Sequence, residues 1–320
     1  MVRPSGQERH KLRLVLGVGR SGTSWVSRVL AACGAPMRCM SEPLYHIRPA
    51  LQLGQHRDHT AIGYERELRP GHRLLRAYHL LTERTAFCHE IGLTPFILRD
   101  DESWRTCLIK EVHGLLATEA LLRGLRRPAV LLVRDPVYVA DSILSVNGLD
   151  NWYLAGESQS VLAPAFLGRF IPERTVDMRR AAAAAATWRG ARGAAARLTL
   201  TVGLINRMFT SLAIGYPVAM LVEYERLCDD PHALFPAIAT FLNLTWDAAA
   251  ADFLESTTHA SAPDAADPYA VVRQTESQTA RRWHVLADAD AQTCRQLLID
   301  AGLQRTVPPQ PLPQASRVAS

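Results

Sequence analysis

An apolar strand, a glycine-rich turn and a helix start follow one another without a break in LRLVLGVGRSGTSWVSRVL, residues 12–30. Leu12 to Leu16 reads as a short buried strand, Gly17 to Gly22 as the turn, and Thr23 as the opening of a helix. Backbone N–H groups and the positive end of a helix dipole then converge on one point, which suits a phosphate or a sulfate. Gly17, Gly19 and Gly22 permit the tight turn and bring bare backbone against the anion. Arg20 adds a fixed positive charge, and Ser21, Thr23 and Ser24 add hydroxyl donors. The functional question is which anion sits there.

Three readings compete. As G-x-G-x-x-G the loop matches a dinucleotide fingerprint, with Glu42 about where a ribose-binding acid is expected, but three glycines alone are a weak signal. As a Walker A loop it lacks the lysine, because Thr23 stands in that place, which argues against a nucleoside triphosphatase or kinase. In the third reading the basic residue sits inside the turn, as Arg20, and the helix opens on hydroxyl residues followed by Trp25. Ser21-Gly22-Thr23-Ser24-Trp25-Val26-Ser27 closely resembles the 5′-phosphosulfate loop of sulfotransferases that use 3′-phosphoadenosine 5′-phosphosulfate (PAPS).

A second segment follows about a hundred residues on. AVLLVRDPVYVADSILS, residues 129–145, reads as strand Ala129 to Val133, then Arg134-Asp135-Pro136, then a helix with proline in its first turn. Arg134 at the strand end and Ser142 near two turns into the helix can both point toward the carboxyl rim of a parallel sheet. An isolated Arg-Asp-Pro also serves simply to start a helix with an exposed ion pair. The element resembles the one with which sulfotransferases bind the donor's 3′-phosphate, and the two motifs in this order carry the resemblance.

Further matches are smaller. Trp25 is either an aromatic face for the adenine, as often in that family, or a core tryptophan. Tyr224 lies in VEYERLCDDP, which resembles a family segment near the adenine, although Arg226 replaces its usual acid. TESQTARRWHVLADAD resembles the loop that closes over the donor, offering Arg281 or Arg282 to the 3′-phosphate, but the basic pair precedes the tryptophan instead of following it.

Sulfuryl transfer to an alcohol calls for a base, worth about 10²–10⁴-fold. CMSEPLYHI resembles a segment of carbohydrate 6-O-sulfotransferases, which makes Glu42 the first choice, with His46 and His113 as alternatives; a capping or salt-bridged glutamate is the plainer reading. Lys110 ends the strand TCLIK and resembles a lysine of carbohydrate sulfotransferases. With Arg20 it would oppose negative charge on the departing bridging oxygen, so that no metal is needed. A solvated strand-end lysine is the bland alternative.

The resemblance implies an α/β fold with a central parallel sheet, helices on both faces and a P-loop-like phosphosulfate loop. It implies a PAPS-dependent enzyme acting on a carbohydrate or small-molecule hydroxyl. A P-loop kinase and a non-catalytic nucleotide-binding module are the alternatives. Strands alternating with helices agree on the sheet. Expected strands are 12–18, 36–40, 106–111, 129–133 and 218–222, and the main helices 23–33, 115–124, 136–146, 232–242, 247–256 and 288–301. Residues 177–214 read as an alanine-rich helical stretch.

Composition adds bounds. With 320 residues, 48% of them hydrophobic, the chain can form one domain over 10–305, with acceptor-pocket segments at 47–105 and 151–215. Residues 306–320 read as a proline-rich tail. The formal charge of +5 suits an anionic nucleotide, but the basic residues form no dense stripe, so nucleic acid is weakly supported. Six cysteines without a C-x-x-C pair suggest reduced thiols in a cytoplasm, and the alanine- and arginine-rich composition suits a bacterium. The N-terminus has no signal-peptide core, and the apolar runs are read as broken short of the ~18 residues a membrane span needs.

Overall fold

The computed structural model describes residues 11–34, 36–44, 97–100, 106–148, 161–258 and 285–304, with isolated positions between 74 and 81. His46, Arg281, Arg282, the tail 306–320 and most of 47–105 lie outside the described residues.

Six strands form one sheet in the order β3-β2-β4-β1-β5-β6. They are β1 (Lys11–Gly17), β2 (Met37–Ser41), β3 (Ile97–Asp100), β4 (Thr106–Glu111), β5 (Ala129–Val133) and β6 (Ala219–Glu223). Five run parallel, and β3 lies antiparallel on the outer edge of β2. The alternation of apolar side chains explains why the sheet is covered twice. Val15, Leu108, Val130, Leu132 and Met220 face a cluster built with the helices Thr23–Ala31, Pro231–Phe241 and Ala248–Thr258. Leu14, Leu16, Cys107, Ile109 and Leu131 face the helices Thr118–Leu125, Pro136–Asn147 and Gly190–Gly215. A parallel sheet buried on both faces is the architecture that the sequence predicts.

The sequence boundaries need adjustment in places. The alanine-rich stretch is two helices, Thr175–Thr187 and Gly190–Gly215, separated at Trp188-Arg189, where Gly190 takes a positive φ of 59°. The second is long and apolar enough to cross a membrane by length and composition, which corrects the reading of short broken runs. It packs along the helices Pro136–Asn147 and Asp288–Asp300, and 67% of its apolar window is buried in protein, as in a core helix.

The chain leaves β1 toward β2 on one side of the sheet and leaves β4 toward β5 on the other. Strand order therefore reverses between β1 and β4, and an open α/β sheet gathers ligands beyond the carboxyl ends of its strands at such a point. The glycine loop and the Lys110–His113 turn both emerge there.

Candidate active site

The glycine loop folds as its composition demands. Ser21 N–H donates to the Val18 carbonyl at 3.0 Å, and the Ser21 hydroxyl donates to the same oxygen. Ser21 is buried, so its hydroxyl holds the turn instead of pointing outward. Arg20 sits at φ 68°, a left-handed position that a non-glycine residue occupies at some cost and that favours a functional turn. Gly22 has φ 98°, and a side chain there would overlap the Tyr224 ring. A Cβ on Gly17 would meet the Thr23 methyl at 2.7 Å. The following helix has Gly22 as its N-cap, with no side-chain cap and no acid in its first turn. Its leading N–H groups are thus turned toward the space above the sheet without an acidic side chain to satisfy them.

The Arg-Asp-Pro element performs two tasks. Asp135 caps the helix Pro136–Asn147, accepting from Val137 N–H at 2.8 Å and Tyr138 N–H at 3.3 Å, while Glu225 accepts from the Asp135 N–H at 2.8 Å. Arg134 turns away from that cap. Its Nη1 donates to the Arg20 carbonyl at 2.7 Å, and its guanidinium lies 4.4 Å over the Tyr224 ring centroid. Arg20 Nε donates to the Ser142 hydroxyl at 3.1 Å. Two segments more than a hundred residues apart are therefore laced together by Arg20, Arg134 and Ser142.

Trp25 belongs to the core. It is wholly buried, its indole N–H donates to the Thr257 hydroxyl at 3.1 Å, and the edges of Tyr224 and Phe235 meet it at 6.3 and 5.0 Å. This corrects the reading of Trp25 as a ring exposed to an adenine. Tyr224 is also buried, so it supports Gly22 and Arg134 from beneath. Thr23 is buried and Ser24 is half-buried.

On the other side of the switch point, Glu42 follows β2 and continues its ladder, donating its N–H to the Lys110 carbonyl at 2.7 Å. Its backbone is left-handed, φ 54°. One carboxylate oxygen is ion-paired and hydrogen-bonded to Lys110 Nζ, and the other lies 3.5 Å from His113 Nε2. Lys110 and His113 are 3% and 4% exposed, whereas Glu42 keeps 32% of its surface, so the carboxylate is the member of this group that reaches solvent. The structure thereby replaces the solvated-lysine reading with a buried, paired one. Burial alone would raise the Glu42 pKa, but the His113 hydrogen bond and the Lys110 charge outweigh it, lowering the pKa to about 2. Glu42 is ionised at rest and, while Lys110 stays on it, a weak base.

Three acidic residues escaped the sequence reading. Glu111, at the end of β4, is wholly buried beneath His113. Asp141, beside Ser142, accepts from Val285 N–H at 2.9 Å and Leu286 N–H at 3.0 Å, tying the returning C-terminal segment to the Ser142 helix. Glu225 supports Asp135 as above. For Asp141 the available signal was a charge in a largely apolar run, PVYVADSIL.

A cavity of about 430 Å³ opens on the far side of the Arg134 turn, among Val133, Asn206, Arg207, Thr210 and Arg295. Neither the glycine loop nor Glu42 lines it. Arg134 and Asn206 both line it, and Asn206 Nδ2 donates to the Arg134 carbonyl at 2.8 Å.

No family model matches the chain, and no curated protein matches it. Among solved structures, the sulfotransferase domain of the olefin synthase of Synechococcus PCC 7002 is similar, with 14% identity over 93% of this chain and 98% of that chain and a TM-score of 0.45. A sulfotransferase domain from the curacin biosynthetic pathway has 14% identity over 90% and 97% of the two chains, with a TM-score of 0.43. A sulfotransferase from Alicyclobacillus acidocaldarius has 14% identity over 76% and 89%, with a TM-score of 0.37.

Proposed function

We propose that the protein is a sulfotransferase that moves the sulfuryl group of 3′-phosphoadenosine 5′-phosphosulfate to a hydroxyl of a carbohydrate or small-molecule acceptor. The observation that carries this reading is the lacing of Arg20 to Ser142 and Arg134. It joins a loop suited to a 5′-phosphosulfate to a basic residue and a hydroxyl suited to a second phosphate on the same ligand. Uncapped N–H groups, a left-handed turn and two guanidinium groups at one rim fit a ligand that carries several negative charges close together. Arg281 and Arg282 precede Val285, which Asp141 holds against the Ser142 helix. In this reading Arg281 or Arg282 meets the donor's 3′-phosphate.

Glu42, Lys110 and His113 then divide the transfer. The acceptor oxygen attacks sulfur, the bond from sulfur to the donor's phosphate oxygen breaks, and the acceptor proton passes to Glu42. At rest the His113 hydrogen bond and the Lys110 charge together hold Glu42 below its ordinary pKa. As negative charge grows on the leaving oxygen it draws Lys110, so Glu42 gains proton affinity when a proton is released. His113, with Nε2 3.5 Å from the same carboxylate, holds Glu42 in place beside Lys110. Charge stabilisation of this kind opposes only what develops in the transition state.

A thermal-shift screen with 3′-phosphoadenosine 5′-phosphate, ATP, NAD and S-adenosylmethionine tests the donor class. A ligand at a hundred times its Kd adds about 2.7 kcal/mol of stability. Stabilisation by the first compound alone supports the reading; a larger shift with ATP and magnesium replaces it with a kinase.

A further inference from the structure

Glu111 ends β4 directly after Lys110, and it is 1% exposed. Its Oε1 accepts two backbone N–H groups, from Val112 at 2.9 Å and His113 at 2.8 Å. Its Oε2 accepts the Leu44 N–H at 3.0 Å, 67 residues away in the chain. These contacts fall on two turns. Leu44 lies two residues past Glu42, and Val112 and His113 continue directly from Lys110. The Glu42 N–H to Lys110 carbonyl bond also joins the two turns, by backbone alone.

We propose that Glu111 is a positioning residue, a buried carboxylate that fastens the Glu42 turn to the Lys110–His113 turn and so sets the distance between Glu42 and His113. The inference rests on the reading of Glu42, Lys110 and His113 as the groups that handle the acceptor proton.

The geometry explains why a carboxylate is needed. Three N–H donors converge on two oxygens, and only a carboxyl group offers two acceptors on a planar fork with no donor of its own when ionised. An amide would keep one acceptor and turn its NH₂ toward an N–H. An aspartate would keep both acceptors but fall one methylene short of one turn. The left-handed φ of Glu42 means its turn does not hold that shape for free, so a fixed point at Leu44 matters more there than in relaxed backbone. His113, Glu42 and Tyr78 are the titratable groups that act on Glu111, and the buried Tyr78 hydroxyl has no hydrogen-bond partner among the described residues. Burial raises the Glu111 pKa to about 7, against the opposing pull of His113 and the backbone N–H groups. Glu111 is thus held where it is at a cost, as expected of a residue kept for geometry rather than stability.

The test compares wild type, Glu111→Gln and Glu111→Asp at pH 8, with two readouts. The first is solvent exchange of the His113 ring N–H, followed by NMR on ¹⁵N-histidine protein. The second is affinity for 3′-phosphoadenosine 5′-phosphate. Both variants are expected to speed ring exchange by about tenfold or more, the equivalent of losing one charged hydrogen bond. Nucleotide affinity should stay within about threefold, because the Glu111 carboxylate bonds to Leu44, Val112 and His113 and not to a phosphate-loop group. Sulfuryl transfer should fall by at least as much as exchange rises, with the donor KM unchanged. Wild-type exchange in folded variants overturns the proposal, and so does a parallel loss of nucleotide affinity. If Glu111→Gln does not fold, Glu111→Asp carries the same comparison. Wild-type protein that ignores the nucleotide would sink the donor reading, while ring exchange would still judge Glu111.

Discussion

The two halves of the site are built on opposite principles. The half proposed to bind phosphate uses backbone: uncapped N–H groups, Gly22 at φ 98° and Arg20 at φ 68°, with Arg134 and Ser142 tied to the loop by ordinary hydrogen bonds. The half proposed to handle the proton uses polar side chains withdrawn from water, Lys110 and His113 almost wholly buried around a partly exposed Glu42. A backbone cradle is complete before its ligand arrives and changes little on binding. A buried charge group is balanced only as a set, so removing or recruiting one member changes the others. Binding is expected to be robust to changes in the second half, and chemistry is not.

The largest effect should come from breaking that set. Under the proposed reading, Lys110→Ala removes the charge that opposes the leaving oxygen and strands Glu42, and turnover should fall by about 10²–10³-fold. Glu42→Gln should cost about 10²-fold or more. Both are read by steady-state kinetics beside calorimetric affinity for 3′-phosphoadenosine 5′-phosphate, which should barely move. Because the resting Glu42 pKa is about 2, the acid limb of a pH–rate profile between pH 5 and 7 does not belong to Glu42 in the free protein. A limb in that range that survives Glu42→Gln sharpens the division; one that disappears with it contradicts the resting ion pair.

Acid unfolding gives an intermediate effect. A carboxyl near 2 when folded and near the ordinary 4.5 when unfolded contributes stability that is fully present above pH 4.5 and is lost as pH falls toward 2. Glu111 has the opposite sign. Raised to about 7, it favours the protonated fold, so its contribution fades as pH rises from 4.5 to 7. Chemical denaturation of wild type and Glu42→Gln across pH 2–6 should therefore show the gap in stability between them closing as pH drops below 4.5. A gap independent of pH would mean that Glu42 is not ion-paired in solution.

The smallest effect tests the correction at Trp25. Trp25→Phe removes the indole N–H that meets Thr257 and some packing against Phe235, at a cost of about 1–3 kcal/mol in denaturant titrations. Nucleotide affinity should be unchanged. A selective loss of affinity without a loss of stability would return Trp25 to the adenine.

What the sequence made legible divides along the same line. β4 at 106–111 and β5 at 129–133 are read to the residue, and the glycine loop and the Arg-Asp-Pro turn are read as a pair, because local pattern and turn chemistry set them. The helix Pro164–Phe170 and the short antiparallel edge strand β3 were not legible, since short elements are decided by what they pack against. Glu42, Lys110 and His113 could each be named, but not that they touch. That contact depends on parallel pairing of Ser41 with Lys110 across strands about seventy residues apart. Trp25 was ambiguous because an aromatic residue after a phosphate loop suits a core as well as a ligand. Asp141 looked like an interruption of an apolar run, and the work of Glu111 and Asp141 is with backbone N–H groups that no side-chain pattern reveals.

The central claim is that the glycine loop and the Arg134 turn serve one ligand with two phosphate sites. Isothermal calorimetry of 3′-phosphoadenosine 5′-phosphate and of adenosine 5′-phosphate, on wild type and Arg134→Ala, tests it directly. Wild type should bind the 3′-phosphorylated nucleotide much more tightly. Arg134→Ala should weaken that compound by about 1.5–3 kcal/mol, roughly 10–150-fold, and the other far less. Equal affinity of wild type for both compounds, or equal losses for both in the variant, would contradict it.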